Sequence, residues 1–251
     1  MRNDLVLSSV QDGIARLTLN DPDRANVLSD AMMAALSDAL AEAAADPQVR
    51  VIVLGAAGRI FCAGHDLGEL VAAGDQDAAQ ALFERCSRLM MALGDCRAPV
   101  IARVQGAAVA AGCQLVASCD LAYAAEGARF AVSGINLGLF CSTPGVALGR
   151  TVGRKAASEM LLTGAFIDAA RAAELGLINA AVPPDQLDQA VEAAAEAIAA
   201  KPPEAIALGK AAFRRQMEAP LQDAYAIASQ AMAENLGFDS ARERIDGFLK
   251  R

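Results

Sequence analysis

Three short apolar runs set the terms on which this chain can fold. Val51-Ile52-Val53-Leu54 runs into Gly55, Val100-Ile101-Ala102-Arg103-Val104 precedes Gly106, and Leu121-Ala122-Tyr123-Ala124 is a third run of the same kind. A strand that is apolar on both faces must be buried on both. Helical stretches separate the runs, so a parallel or mostly parallel sheet with crossover helices is the simplest arrangement, an α/β fold. Ahead of them, residues 4–10 and 14–20 alternate around Gln11-Asp12-Gly13, which predicts a β-hairpin. Ser29 is placed to cap a helix whose apolar face runs Met33, Leu36, Leu40, Ala44.

The pattern changes after Val182-Pro183-Pro184, beyond which only helical periodicity is present. This divides the chain into an α/β core over 1–183 and a helical region over 184–251. Leu187, Val191, Ala195 and Ile198 form one apolar stripe of that region, and Leu221, Tyr225, Ala228 and Met232 another. Such stripes cap the core or pack on a neighbouring subunit, and the sequence leaves both open. With 251 residues, 55% of them hydrophobic, a sizeable core is available. No apolar run reaches the ~18–20 residues of a membrane span, and MRNDLVLSSVQDG reads as a strand, not as a signal sequence.

A net charge of −8 argues against a nucleic-acid partner, though a few local Arg or Lys side chains suffice for a phosphorylated ligand. Six cysteines without a CxxC pair, and one histidine, argue against a zinc site, so no metal is expected. Thiols within apolar stretches suggest a reducing, cytoplasmic compartment. GxxxxGK[ST] and GxSxG are both absent, which disfavours nucleotide hydrolysis and serine-hydrolase chemistry.

The chemistry-bearing segments are two strand–Gly–helix junctions. One leads from strand 51–54 through Gly55, Gly58 and Gly64 to a helix near Asp66; the other leads from strand 100–104 through Gly106 and Gly112 to a helix near Ala111. Small residues let a ligand approach the backbone, and the first amides of a helix are unpaired donors at its positive end. Two such donors aimed at one oxygen stabilise an enolate or a tetrahedral oxyanion. Gly-rich junctions are also, more often, plain tight turns.

Five stretches carry a resemblance to a known family: NDPDRANVLS (20–29), VRVIVLGAAGRIFCAGHDLGEL (49–70), APVIARVQGAAVAAGCQLVASCDLAYA (98–124), FAVSGINLGLFCSTPGVAL (130–148) and LTGAFIDAARAAELGLIN (162–179). In this order, over nearly the whole chain, they resemble the crotonase superfamily (enoyl-CoA hydratase/isomerase). The fourth stretch is closest to the subgroup of enoyl-CoA hydratase domain-containing protein 3. The resemblance implies a spiral of ββα units, a helical C-terminal trimerisation region and a homotrimer or hexamer. It also implies an acyl-CoA thioester as substrate, with coenzyme A part of that substrate and no separate cofactor.

Carried onto this chain, the resemblance makes the amides of His65 and Ala111 the oxyanion donors. It lines the bent CoA with His65, Asp66, Leu67 and Gly68 and sets Arg24 and Ala25 beside its nucleotide end, with Lys250 a further candidate for its phosphates. Two positions depart from the family's hydratases: Gln114 and Gly134 stand where two glutamates activate water. Gln114 can hold a water but cannot accept its proton, and a positioned acid–base group contributes on the order of 10²–10⁴ in rate. Ordinary hydration is therefore not expected. Slow turnover with a water held by Gln114, a decarboxylase or thioesterase-type reaction, or a non-catalytic acyl-CoA-binding protein are the readings that remain. The His65 side chain is expected to face CoA or solvent, Glu69 to face solvent, Arg214 and Arg215 to lie on a solvated helix face, and Cys141 to pack against an acyl chain.

Overall fold

The computed structural model describes residues 4–250; the first three residues of the segment judged to lack a signal sequence lie outside them. The hairpin forms as β1 (Val6–Gln11) and β2 (Ile14–Leu19), antiparallel. Asp12 and Gly13 between them take φ of 52° and 78°, the left-handed pair that lets a two-residue turn follow the strands' twist. Along the chain follow β3 (Val51–Ala56), β4 (Val100–Val104), β5 (Ala108–Val109), β6 (Leu121–Ala125), β7 (Arg129–Ala131), β8 (Ile167–Asp168) and β9 (Ala180–Val182). The large sheet runs β1-β2-β3-β4-β6-β9 and is parallel from β2 onward.

The helices are α1 (Asp30–Ala45), α2 (Leu67–Ala72), α3 (Gln76–Asp95), α4 (Ala111–Ser118), α5 (Ser142–Thr151), α6 (Arg154–Thr163), α7 (Ala169–Glu174), α8 (Leu187–Ala199), α9 (Pro203–Met217), α10 (Leu221–Leu236) and α11 (Asp239–Leu249). Alternation along the strands divides the core. Leu17, Leu19, Ile52, Leu54, Val100 and Ala102 pack with Met32, Leu36 and Leu40 of α1 and Leu82, Leu89 and Leu93 of α3. Ile14, Val51, Val53 and Ile101 on the other face meet Leu187, Val191 and Ala195 of α8. Ser29 caps α1 as its sequence predicts, its Oγ accepting from the Met32 amide at 3.1 Å.

A second, small sheet, β5-β7-β8, was not legible in the sequence; β5 is parallel to β7, and Cys62 bridges to Ala108 at its near edge. Each pass of the chain thus lays one strand in the large sheet, one short segment in the small one, and then a helix: β3–Cys62–α2, β4–β5–α4, β6–β7–α5. The short segments bring the starts of successive helices side by side.

The Pro183–Pro184 break precedes a helix that belongs to the sheet by its packing. Arg16 pairs with Glu192 at 2.6 Å, and Arg103 with Asp188, across the same contact. Beyond α8 the character differs: α9 and α11 contain no buried residue and α10 contains one, Ala224. Leu221, Tyr225 and Met232 are 75%, 69% and 76% exposed, so the second apolar stripe faces away from the chain's own core.

Candidate functional site

The two glycine junctions meet. Gly64, at φ 97°, lies so close to the second junction that a Cβ there would sit 3.0 Å from the Ala110 Cβ and the Val109 carbonyl oxygen, and 3.4 Å from the Ala111 amide nitrogen. Leu28 holds the first junction in place: its amide donates to the Gly64 carbonyl at 2.8 Å, and it bridges to His65. The second junction turns on Ala110, whose φ of 50° and ψ of −115° belong to a region that glycine ordinarily occupies. This turn starts α4 at Ala111. At Gly112 a Cβ would overlap the Cys62 carbonyl, so glycine there is what allows α4 to approach the first junction.

Around this contact lies a cavity of about 600 Å³. The first junction supplies Ala63, His65, Asp66, Leu67 and Leu70, and the second Val109, Ala110 and Ala111. The turn after β7 and the start of α5 supply Gly134, Leu137, Leu139, Phe140, Cys141 and Pro144, with the hydroxyls of Ser133, Ser142 and Thr143 beside them; Arg24, Val27 and Phe83 complete the mouth and wall. Of the residues expected from the sequence, Arg24, His65, Asp66, Leu67 and Ala111 come together here. Ala25, Gly68 and Gln114 are not part of the wall.

Ala25 and Gly68 have structural roles, and Gln114 is buried. Ala25, at φ 54°, closes a short turn, and its carbonyl accepts from the Ala63 amide at 3.1 Å. The Gly68 amide is held by the Asp66 carboxylate at 2.8 Å. Gln114 is 4% exposed, with its Oε1 unpartnered among the described residues. The reason is the course of α4, which runs from the cavity wall at Ala111 into the core, every residue through Val116 being buried. Gln114 therefore stands one turn behind the wall.

Gly134 does line the cavity, but no side chain fits there: a Cβ would overlap the Leu139 carbonyl and come 2.8 Å from the Cys141 sulfur. The Gly134 amide donates to that sulfur at 3.3 Å. Burial raises the Cys141 thiol above its ordinary pKa, outweighing this hydrogen bond, so the sulfur is a neutral packing group.

The other ionisable side chains of the site are held by their neighbours. Asp66 caps α2, accepting from the Gly68 and Glu69 amides, and pairs with Arg24 at the mouth. Although burial pushes its carboxyl up, those amides and the guanidinium hold it below its usual range. The His65 ring does not face solvent. It packs edge-on against Phe83 with centroids 5.5 Å apart, and neither nitrogen has a hydrogen-bond partner among the described residues. Burial lowers its pKa against weaker upward pulls from the Leu28 backbone and Glu69, so the imidazole is neutral at pH 7. Glu69, expected in solvent, accepts from the Asp30 amide at the start of α1 at 2.7 Å. Arg214 likewise pairs with Asp95 at 2.7 Å and shares a cleft with Arg97, Lys210 and Arg215.

Asn26 is the positioning residue that motif reasoning passed over. Fully buried, it donates to the Ala57 and Ile60 carbonyls at 2.9 and 2.8 Å and accepts from the Asp21 amide at 2.9 Å. It ties the segment carrying Arg24 to the loop that leads to His65. Its signal in the sequence was only a polar residue inside DPDRANVLS. Among the described residues, no group of three or more His, Cys, Asp or Glu side chains is placed to hold a metal, and no helix is long and apolar enough to cross a membrane.

The enoyl-CoA hydratase/isomerase family profile matches residues 9–251. The chain belongs to that family. It is 45% identical over 241 residues to enoyl-CoA hydratase domain-containing protein 3, mitochondrial, of Rattus norvegicus, covering 96% of this chain and 80% of the relative. A crystal structure of enoyl-CoA hydratase from Mycobacterium smegmatis superposes with a TM-score of 0.97 at 53% identity, covering 99% of this chain and 97% of that one. That of human enoyl-CoA hydratase domain-containing protein 3 gives 0.95 at 42% identity, covering 98% and 97%. The crotonase fold and the subgroup expected from the sequence are thus both upheld. The cytoplasmic expectation is corrected, because the rat relative and its counterparts are named mitochondrial. Buried thiols are compatible with any reducing compartment and do not distinguish one from another.

Proposed function

We propose that the cavity binds an acyl-CoA thioester with its carbonyl oxygen between the amides of His65 and Ala111. The observation that supports this reading is the contact of the two junctions at Gly64, with His65 and Ala111 both lining the cavity beside it. Ala111 opens α4, so its amide adds the positive end of a helix to the polarisation of the carbonyl. Arg24 flanks the nucleotide end of CoA, and Asp66 and Leu67 follow its bend, while Ala25 and Gly68 act through the backbone turns that hold these residues. Like its relatives by family, the chain acts on CoA thioesters as an enzyme of the carbonyl-polarising kind, and it assembles as a homotrimer or hexamer.

What it lacks is the pair of carboxylates that adds water. Asp66 is the one carboxylate in the wall among the described residues, and it is occupied by the α2 amides and Arg24. Gln114 cannot take a proton, and position 134 has no room for a side chain. Each missing acid–base group removes on the order of 10²–10⁴ in rate, so hydration is slow.

The test is mass spectrometry after incubation with crotonyl, longer enoyl, malonyl-type and saturated CoA thioesters, with binding measured in parallel. Thioesters bind, and crotonyl-CoA gains water no faster than the carboxylate deficit allows. Hydration at the rate of a two-glutamate enzyme would overturn the acid–base argument. Absence of binding by every thioester would overturn the substrate class.

A further inference from the structure

Four ionisable side chains stand in the cavity wall among the described residues: Arg24, His65, Asp66 and Cys141. None offers a free charge. Arg24 and Asp66 pair with each other at the mouth, and Arg24 also has Asp21 within 3.6 Å. The His65 ring is packed against Phe83 as a neutral imidazole, and the Cys141 thiol is held protonated by burial. Ser133, Ser142 and Thr143 add uncharged hydroxyls, the rest of the wall is largely hydrocarbon, and Leu137, Leu139 and Phe140 on its outer side are 70%, 47% and 43% exposed. Apolar side chains left open around a cavity mark a surface that a ligand covers. Such a wall gains by enclosing methylene groups. Its one cation, Arg24, is already paired with Asp66 and Asp21 at the mouth, so the desolvation of a buried carboxylate would go uncompensated.

Building on the acyl-CoA reading, we propose that this cavity takes thioesters of uncharged, apolar acyl chains and turns away acyl chains that end in a carboxylate. Hexanoyl-CoA and adipoyl-CoA test this directly. Both have six acyl carbons and the same CoA, and they differ by the terminal carboxylate. Titration calorimetry at 0.15 M salt, where charges farther apart than about 8 Å are largely screened, reports the local environment of that group.

Adipoyl-CoA is expected to bind at least about tenfold more weakly than hexanoyl-CoA. Leu137→Arg, at an exposed position of the wall, supplies an unpaired cation and should narrow the gap by raising adipoyl-CoA affinity. Equal or tighter binding of adipoyl-CoA to the unaltered protein would overturn the inference. So would a gap unchanged in a Leu137→Arg protein that still binds hexanoyl-CoA. If neither thioester binds, the acyl-CoA reading itself falls, an outcome distinct from equal binding of both.

Discussion

His65 carries two roles that separate cleanly, one through its backbone and one through its ring. The amide belongs to the junction, whereas the ring is buried against Phe83 with both nitrogens unpartnered. It is the only histidine, so no other imidazole titrates in the same range. Burial sets its folded pKa below the ordinary 6.5. As pH falls, the unfolded chain takes up the proton first, so stability rises with pH in that interval. Stability linked to His65 is therefore fully present above about pH 6.5 and is lost as pH falls toward the folded value, with a slope no steeper than about 1.4 kcal/mol per unit. Urea unfolding between pH 7.5 and 5.5, compared with His65→Phe, isolates this slope. Identical pH dependence in the two proteins would mean that the ring is solvated. This environment was not legible in GHDL, because the burial comes from Phe83, eighteen positions away on α3. Ala110 is a similar case: its left-handed backbone follows from the close approach of two junctions, which no local pattern records.

Helix α8 presents two kinds of attachment that predict different costs. Its Leu187, Val191 and Ala195 are buried on the sheet, while Arg103–Asp188 is an ion pair whose side chains are 27% and 80% exposed. Leu187→Ala removes buried volume and is expected to cost about 2–4 kcal/mol. Arg103→Ala loses a solvent-screened pair and should cost about 1 kcal/mol or less. Urea denaturation of both variants checks the order, and a reversal would make the ion pairs the anchor of α8. The elements themselves were readable where burial writes a local pattern. β3, β4 and β6 are apolar on both faces, and α1 announces itself through Ser29 and its spaced Met and Leu residues. β5, β7 and β8, of two or three residues each, leave no periodicity to detect; they exist only by pairing across the chain. The displacement of Gln114 from the cavity wall has the same origin, since the direction in which α4 enters the core is a tertiary fact.

At the scale of the molecule, the apolar surface of α9–α11 asks for a partner. Phe213, Met217, Leu221, Tyr225, Met232 and Phe248 are each more than 60% exposed, although the stripe 221–232 has the spacing of a packed helix face. Monomeric proteins rarely leave so much contiguous hydrocarbon in water. A net charge of −8 does nothing to bury it, because charge keeps copies apart without covering an apolar face. Burial against further copies of the chain resolves the conflict, and closed rotational symmetry does so for every copy at once. Sedimentation velocity should therefore give a homotrimer or hexamer at micromolar concentration. Replacing Leu221 and Met232 with Glu places charges within the stripe, and the species should shift to monomer while helix content by circular dichroism is retained. α10 contributes only Ala224 to the buried residues, so these substitutions leave the sheet and the cavity wall intact. A wild-type protein that sediments as a monomer would assign the stripe to another occupant. A double variant that remains trimeric would move the interface to a different face of the same helices.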